Sequence, residues 1–296
     1  MGQASRPGYR RFYDVNGWSF VGPALALIAI FMLYPVGQSL WMSVHAGQGT
    51  MMQFVGFGNI VRLFNDPVFV VALTNTFIFL IVQVPLMIML ALIMASCLNM
   101  PNLKFRGLLR TAVFLPCVTS FVAYSVLFKS MFSYDGLINA TLLRFGLVSE
   151  AIPWLTDPFW AKLVVIGAIT WRWTGYNMIF YLAAMQNIDK SIYEAARIDG
   201  ISATRRFLSI TIPMLKPVIL FTTVTSTIGT LQLFDEPMNI TNGLTSDITL
   251  TLSLYIYKLS FRFVPNFGYA ATVSYVIVVL VAILAFIQFY VARERD

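Results

Sequence analysis

Charge is scarce in this sequence. Asp, Glu, Lys and Arg make up 11% of its 296 residues, hydrophobic residues make up 58%, and mean hydropathy is +0.76. That balance excludes a water-soluble globular chain. Histidine occurs once, at His45, and cysteine twice, at Cys97 and Cys117. No His, Cys or carboxylate cluster has the spacing of a metal site. Both cysteines fall in apolar runs, so a structural disulfide is not expected. A glycine-rich phosphate loop ending in Lys-Ser or Lys-Thr is missing, so the chain does not hydrolyse a nucleotide by itself in any recognisable way. The nucleophile, base or metal constellation of an enzyme is missing too. The formal net charge of +7 has no soluble basic face on which to gather, which excludes a nucleic-acid footprint.

What the sequence does have is apolar length. Crossing about 30 Å of hydrocarbon takes about 20 residues. Six runs qualify: 18–44, 70–97, 108–132, 161–185, 217–234 and 269–291. They predict an all-α, polytopic membrane protein with six transmembrane helices. The first run starts late, is too long and lacks a small-residue cleavage site, so it is not a cleaved signal peptide. Basic residues give the expected orientation. With a cytoplasmic amino terminus, the inside segments collect Arg6, Arg10, Arg11, Lys104, Arg106, Arg110, Lys190, Arg197, Arg205, Arg206, Lys216, Arg293 and Arg295. That places both tails, 1–17 and 292–296, in the cytoplasm together with the segment 187–216. Pro23 and Pro35 predict a kink in the first run. Asp66-Pro67, Asp135-Gly136, Asp157-Pro158 and Asn242-Gly243 mark the external segments 45–69, 133–160 and 235–268 as irregular backbone.

Residues 194–217, EAARIDGISATRRFLSITIPMLKP, are unusually charged for this chain. Glu194 to Asp199 reads as helix, and Gly200 suits the left-handed residue that ends one. Ser202 is placed to cap a second helix through Thr204 to Ile210, which Pro213 and Pro217 then interrupt. A short charged helical hairpin between two membrane spans calls for a partner.

The spacing Glu194-Ala195-Ala196, Gly200, Ile210 and Ile212-Pro213 resembles the cytoplasmic "EAA" loop of binding-protein-dependent ABC importer permeases. Ile212 stands where that pattern has leucine and keeps its apolar bulk. GPALALIAIFMLYP, FVGFGNIVRLFNDPVFVVALTNT, FRGLLRTAVFLP and WRWTGYNMIFYLAAMQNI are similar to the sugar-uptake branch of that family. The branch often carries Thr-Asn-Gly-Gly-Pro after the fifth helix, where this chain has Thr241-Asn242-Gly243-Leu244-Thr245. The resemblance covers nearly the whole chain. It implies a type I ABC importer permease fold in a bacterial inner membrane. It also implies a second permease, two ATPase subunits that bind ATP and Mg, and an extracytoplasmic solute-binding protein as partners. This chain itself would hold no cofactor. Glu194, Ala195, Ala196, Asp199 and Gly200 would form the coupling helix that docks in the ATPase. Arg205 and Arg206 would touch either that subunit or lipid headgroups.

Two groups are candidates for the substrate path, each with a structural alternative. Arg172 lies near the middle of the fourth run, where a charge must face protein or a water-filled path. Trp173, Tyr176 and Asn177 follow it. Together they read either as a polar and aromatic patch beside a sugar path, or as surroundings for an arginine bonded to backbone carbonyls or to the second permease. In the fifth run, Thr222, Ser226 and Thr230 share one face, which Thr223 and Thr227 broaden. Those hydroxyls, with Phe234 beyond them, suit sugar recognition; small polar residues also serve helix packing. Among ionisable residues deep in a run Arg172 stands alone, with no acidic partner in another. That argues against a gradient-driven carrier, the rival class. A sugar or oligosaccharide is the expected solute, and glycerol phosphate or another small solute the alternative.

Overall fold

The computed structural model describes residues 7–47, 52–100, 103–243 and 246–293, with side chains from residue 17 onward. The expectations for Arg6, Arg10, Arg11, Arg295, Leu244 and Thr245 lie outside what is described. The chain is helical nearly throughout. Helix α1 (Pro7–Ile28) passes through a π turn at Ala29–Leu33 into α2 (Tyr34–Ser43). A two-residue antiparallel bridge pairs His45 with Phe54 and Ala46 with Gln53, and α3 (Gly58–Phe64) follows. The long α4 (Pro67–Leu98) leads to α5 (Arg106–Val118), α6 (Phe121–Met131), α7 (Leu137–Arg144) and α8 (Pro158–Gln186). Then come α9 (Lys190–Ile198), α10 (Ala203–Arg206), a π turn at Phe207–Thr211 and α11 (Ile212–Met214). The chain finishes with α12 (Lys216–Leu231), α13 (Asp235–Asn239), α14 (Leu252–Tyr257), a π turn at Lys258–Arg262 and α15 (Phe267–Arg293).

Among the described residues, four stretches are long and apolar enough to cross a membrane: Gly17–Ser43, Pro67–Leu98, Lys216–Asn239 and Phe267–Arg293. Helix α8, at 29 residues, reaches about 43 Å, but its centre is more polar. The remaining expected span, 108–132, is not one helix. It is α5 and α6, bent by 97° at Thr119 and Ser120. Both of those residues take extended backbone angles, with ψ of 152° and 136°. The six expected crossings are therefore compatible with the fold only if this broken pair counts as one and α8 crosses despite its polar centre.

Local chemistry explains where the helices start. Asp66 Oδ1 accepts from the backbone N–H groups of Val68 (2.9 Å) and Phe69 (3.3 Å), and Pro67 opens α4. Asp157 does the same for α8 through Phe159 (2.9 Å) and Trp160 (3.0 Å), with Pro158 at its first position. The Asp-Pro pairs are helix caps, and both helices begin three residues before the expected bounds. The external segments are likewise less irregular than expected, since they contain α3, α7, α13 and α14. Two of the three π turns lie just before a proline that continues the same helical run, Pro35 and Pro213. A proline removes one amide donor and crowds the preceding turn, and a wider turn relieves that crowding. Pro213 is absorbed in this way, and Pro217 sits in the first turn of α12. The expected interruption therefore falls at Leu215, between the two prolines, where α11 ends and α12 begins.

The core lies where α4, α8, α12, α14 and α15 meet. Ala72, Ala91 and Ala95 on α4 and Ala161 and Ala168 on α8 are wholly buried, and such small side chains let α4 and α8 lie close together. Larger residues complete it, with Phe79, Met87, Met178, Tyr181 and Tyr269 fully enclosed. Gly17–Ser43 differs: its apolar span contains no buried residue. It stands off the core except where α2 packs against α15.

Candidate functional site

The hairpin at 190–217 is built as a rigid protrusion. Asp189 caps α9 by accepting from the Ser191 N–H at 2.9 Å. That bond and a second from the Ser191 hydroxyl hold its carboxyl below the ordinary carboxylate range. The helix thus begins at Lys190, one turn before Glu194. At its other end Gly200 takes φ +71°. The Gly200 N–H bonds the Arg197 carbonyl (3.1 Å) and the Ile201 N–H bonds the Ala196 carbonyl (3.0 Å). Those two bonds are the helix-ending motif that a left-handed glycine permits. Ser202 then caps α10 through the Arg205 N–H at 3.4 Å, as expected.

Glu194, Ala195, Asp199 and Arg205 are exposed on this hairpin. So is Ile198, at 87% exposure, a large apolar side chain that water alone would not favour. Two residues take other roles. Ala196 is buried, at 4% exposure, against the chain itself, so Ala195 alone of the alanine pair faces outward. Arg206 is half-buried, and its Nη1 donates to the Ile201 carbonyl at 2.7 Å, stapling the turn from within. Tyr193 and Thr211 share a hydrogen bond of 3.0 Å that ties α9 to the following π turn.

The second feature is a cavity of about 540 Å³ between α4, α6, α8, α12 and α13. It brings together six of the nine residues expected on the substrate path: Trp173, Tyr176, Asn177, Ser226, Thr230 and Phe234. Three are not there. Thr227 is buried and accepts from Gln288 Nε2 on α15 at 2.8 Å. Thr223 returns its hydroxyl to the Ile219 carbonyl at 2.6 Å and faces Pro85 and Phe207. The rotation of α12 against α4 decides this: the Thr222–Ser226–Thr230 face opens on the cavity, and the residues expected to broaden it do not.

Arg172 is the third. It is 2% exposed and lies behind the cavity wall. Its Nη2 donates to the carbonyls of Thr119 (2.8 Å) and Cys117 (3.3 Å), and its guanidinium stacks 3.9 Å from the Phe121 ring and 4.6 Å from Tyr124. Those carbonyls belong to the break between α5 and α6. Non-helical backbone at membrane depth needs protein donors, and Arg172 supplies them. Of its two readings the geometry matches the structural one.

The cavity also contains residues that the sequence reading did not select: Gln83, Phe121, Phe221, Thr225, Gln232, Asp235 and Glu236. Gln83, a polar residue inside an apolar run, accepts from Thr230 at 3.1 Å and donates to Met87 Sδ at 3.3 Å. Asn177 reaches the same sulfur at 3.5 Å, which joins α4, α8 and α12 at the cavity floor. Glu236 is 2% exposed and accepts from the Tyr124 hydroxyl. The expectation that no acidic residue accompanies Arg172 at depth is therefore wrong. The helical path of the fifth span continues past Phe234 to Asn239 and carries Asp235 and Glu236 inward. A chain of aromatic rings links α8 to α12: Trp173 to Tyr176 (5.6 Å), Tyr176 to Phe180 (5.0 Å) and Phe180 to Phe221 (5.7 Å).

Residues 49–296 match the model of the binding-protein-dependent transport system inner membrane component family. The chain belongs to that family. This permease is 66% identical to the lactose transport system permease protein LacF of Rhizobium radiobacter, over 100% of both chains. It is 31% identical to the arabinooligosaccharides transport system permease protein AraP of Bacillus subtilis, over 96% of this chain and 92% of that one. A bacterial alginate ABC transporter, solved in complex with an alginate pentasaccharide-bound periplasmic protein, contains a chain of the same fold. The TM-score is 0.84 at 24% identity, covering 98% of both chains. The permease fold expected from the loop pattern is thus the fold observed.

Proposed function

We propose that this permease is a transmembrane subunit of an ATP-driven importer and that its cavity forms part of the path of a sugar or oligosaccharide. The observation that carries this reading is the cavity, whose lining combines the aromatic rings of Phe121, Trp173, Tyr176, Phe221 and Phe234 with hydroxyls and amides of α4, α8 and α12. A saccharide presents apolar C–H faces and a rim of hydroxyls, so it matches both kinds of lining residue. The names of the relatives, lactose and arabinooligosaccharide permeases, support the same class of solute.

A second permease completes the path, a solute-binding protein delivers the solute from outside, and two ATPase subunits supply the work. The machine sits in a bacterial inner membrane, with lipid around the spans and both termini of this chain in the cytoplasm. The hairpin docks in the ATPase through Glu194, Ala195, Ile198 and Asp199. Closure of the ATPase dimer on ATP pushes α9, and its stiff connection to α12 through α10 and α11 passes that movement to the cavity. Reconstitution in liposomes tests this. Glu194→Lys and Gly200→Pro should insert normally yet lose ATP-dependent uptake and its coupling to hydrolysis. Uptake at the normal rate in both variants, or uptake by this chain without ATPase subunits, would overturn the reading.

A further inference from the structure

We propose that Glu236 makes the cavity selective for neutral saccharides and against acidic ones, by accepting hydrogen bonds from sugar hydroxyls while repelling a carboxylate or phosphate. The proposal rests on the saccharide reading above and says which saccharides. Glu236 and Asp235 both line the cavity, and no Lys, Arg or His lines it among the described residues. The nearest cation in the wall, Arg172, is turned to the Cys117 and Thr119 carbonyls and covered by the Phe121 ring. Its charge steadies the wall without offering a donor to a solute.

Glu236 is also fixed in place. The Tyr124 hydroxyl donates to its Oε1, and Tyr124 stacks beneath the Arg172 guanidinium. Pro237 follows it and is buried, which leaves the backbone little freedom to turn the carboxylate away. A carboxyl fixed in this way, with Asp235 beside it and Gln232, Asn177 and the Ser226 and Thr230 hydroxyls around it, suits a ligand that brings donors and no negative charge. An anionic sugar would meet two carboxyl groups, Asp235 and Glu236, and no cation in the lining, where water screens poorly.

The test uses the whole complex, with its second permease and ATPase subunits, purified without the solute-binding protein. Binding is measured by scintillation proximity for a tritiated neutral disaccharide and for its uronate counterpart, in which one CH₂OH is a carboxylate. The wild type should bind the neutral sugar about tenfold tighter or more, the factor that one charge-assisted hydrogen bond supplies. Glu236→Gln should weaken the neutral sugar, strengthen the uronate and bring the ratio to about threefold or less. Asp235→Asn, at a half-exposed position, should narrow the ratio in the same direction and serves if Glu236→Gln does not fold. Tyr124→Phe keeps both carboxylates and should keep the preference. Equal affinity of the wild type for both sugars would overturn the selectivity and leave the saccharide reading intact. No binding of either sugar would overturn that reading and this proposal with it. An equal loss for both sugars in Glu236→Gln would make the residue a structural post and overturn its assigned role.

Discussion

Adding one methyl group at Gly175 should push two helices apart, and the same change eight residues earlier on the same helix should do no harm. At Gly175 a β-carbon would lie 1.9 Å from the Val113 carbonyl oxygen, 2.7 Å from its carbon and 3.0 Å from Phe114 Cα. Ordinary contact between carbon atoms begins at about 3.5 Å, so the shortfall is of the order of an ångström or more. All three obstacles are backbone atoms of α5. That helix is held at its end by the Arg172 bonds to Cys117 and Thr119, so it has little room to retreat. Overpacking against side chains costs about 1–3 kcal/mol. Against fixed backbone the upper end applies, offset by about 1 kcal/mol of improved helix propensity. Gly175→Ala should therefore destabilise by about 2 kcal/mol or more. At Gly167 nothing lies within 4 Å, and Gly167→Ala should gain up to about 1 kcal/mol from propensity alone. The assay is loss of the monodisperse peak on size exclusion after heating in detergent, with both variants beside the wild type. Gly175→Ala should melt earlier, Gly167→Ala at the wild-type temperature or above. Equal melting of the two variants would refute the close approach of α8 to α5.

Two further perturbations separate packing from charge. Arg172→Leu removes the donors of two carbonyls at the α5–α6 break, each worth about 1–3 kcal/mol when left unsatisfied. A clear fall in melting temperature is expected, and Arg172→Lys should restore part of it; unchanged stability in Arg172→Leu would show that the break does not need this clamp. On the opposite side of the molecule from the hairpin, Asp66 Oδ2 accepts from Tyr255 (2.5 Å) and Tyr269 (2.6 Å). Burial acts to raise the Asp66 carboxyl, but the two tyrosine hydroxyls and the Phe69 and Val68 amides outweigh it and hold the carboxyl below its usual range. A depressed folded value means that the stabilisation is present above the unfolded value, about 3.9, and is lost as pH falls through the folded one. Melting measured from pH 7 downward should drop less in Asp66→Asn than in the wild type below about pH 4. Parallel curves would remove Asp66 from the acid response.

The turn of the hairpin was legible because its signals are local. The left-handed Gly200 and the Ser202 cap lie two residues apart and depend only on their neighbours in sequence, whereas the Asp189 cap that starts the helix was not read. Membrane crossings were legible for a similar reason, since the length and polarity of a segment suffice to place it in hydrocarbon. The broken third span was not. Leu108 to Phe132 is mostly apolar, and its bend depends on an arginine 53 residues away that satisfies the Thr119 carbonyl.

Sequence by itself determined that this chain is a helical membrane protein, where most of its helices run and which segment forms the charged hairpin. Those properties follow from short-range chemistry and from the cost of polar backbone in hydrocarbon. Tertiary structure alone decided which faces of the helices meet. Packing turned Ser226 and Thr230 into the cavity and Thr223 and Thr227 out of it, placed Arg172 behind the wall rather than in the path, and brought Glu236 to the cavity. A side chain's direction depends on how its helix is rotated against its neighbours, and no local pattern carries that rotation.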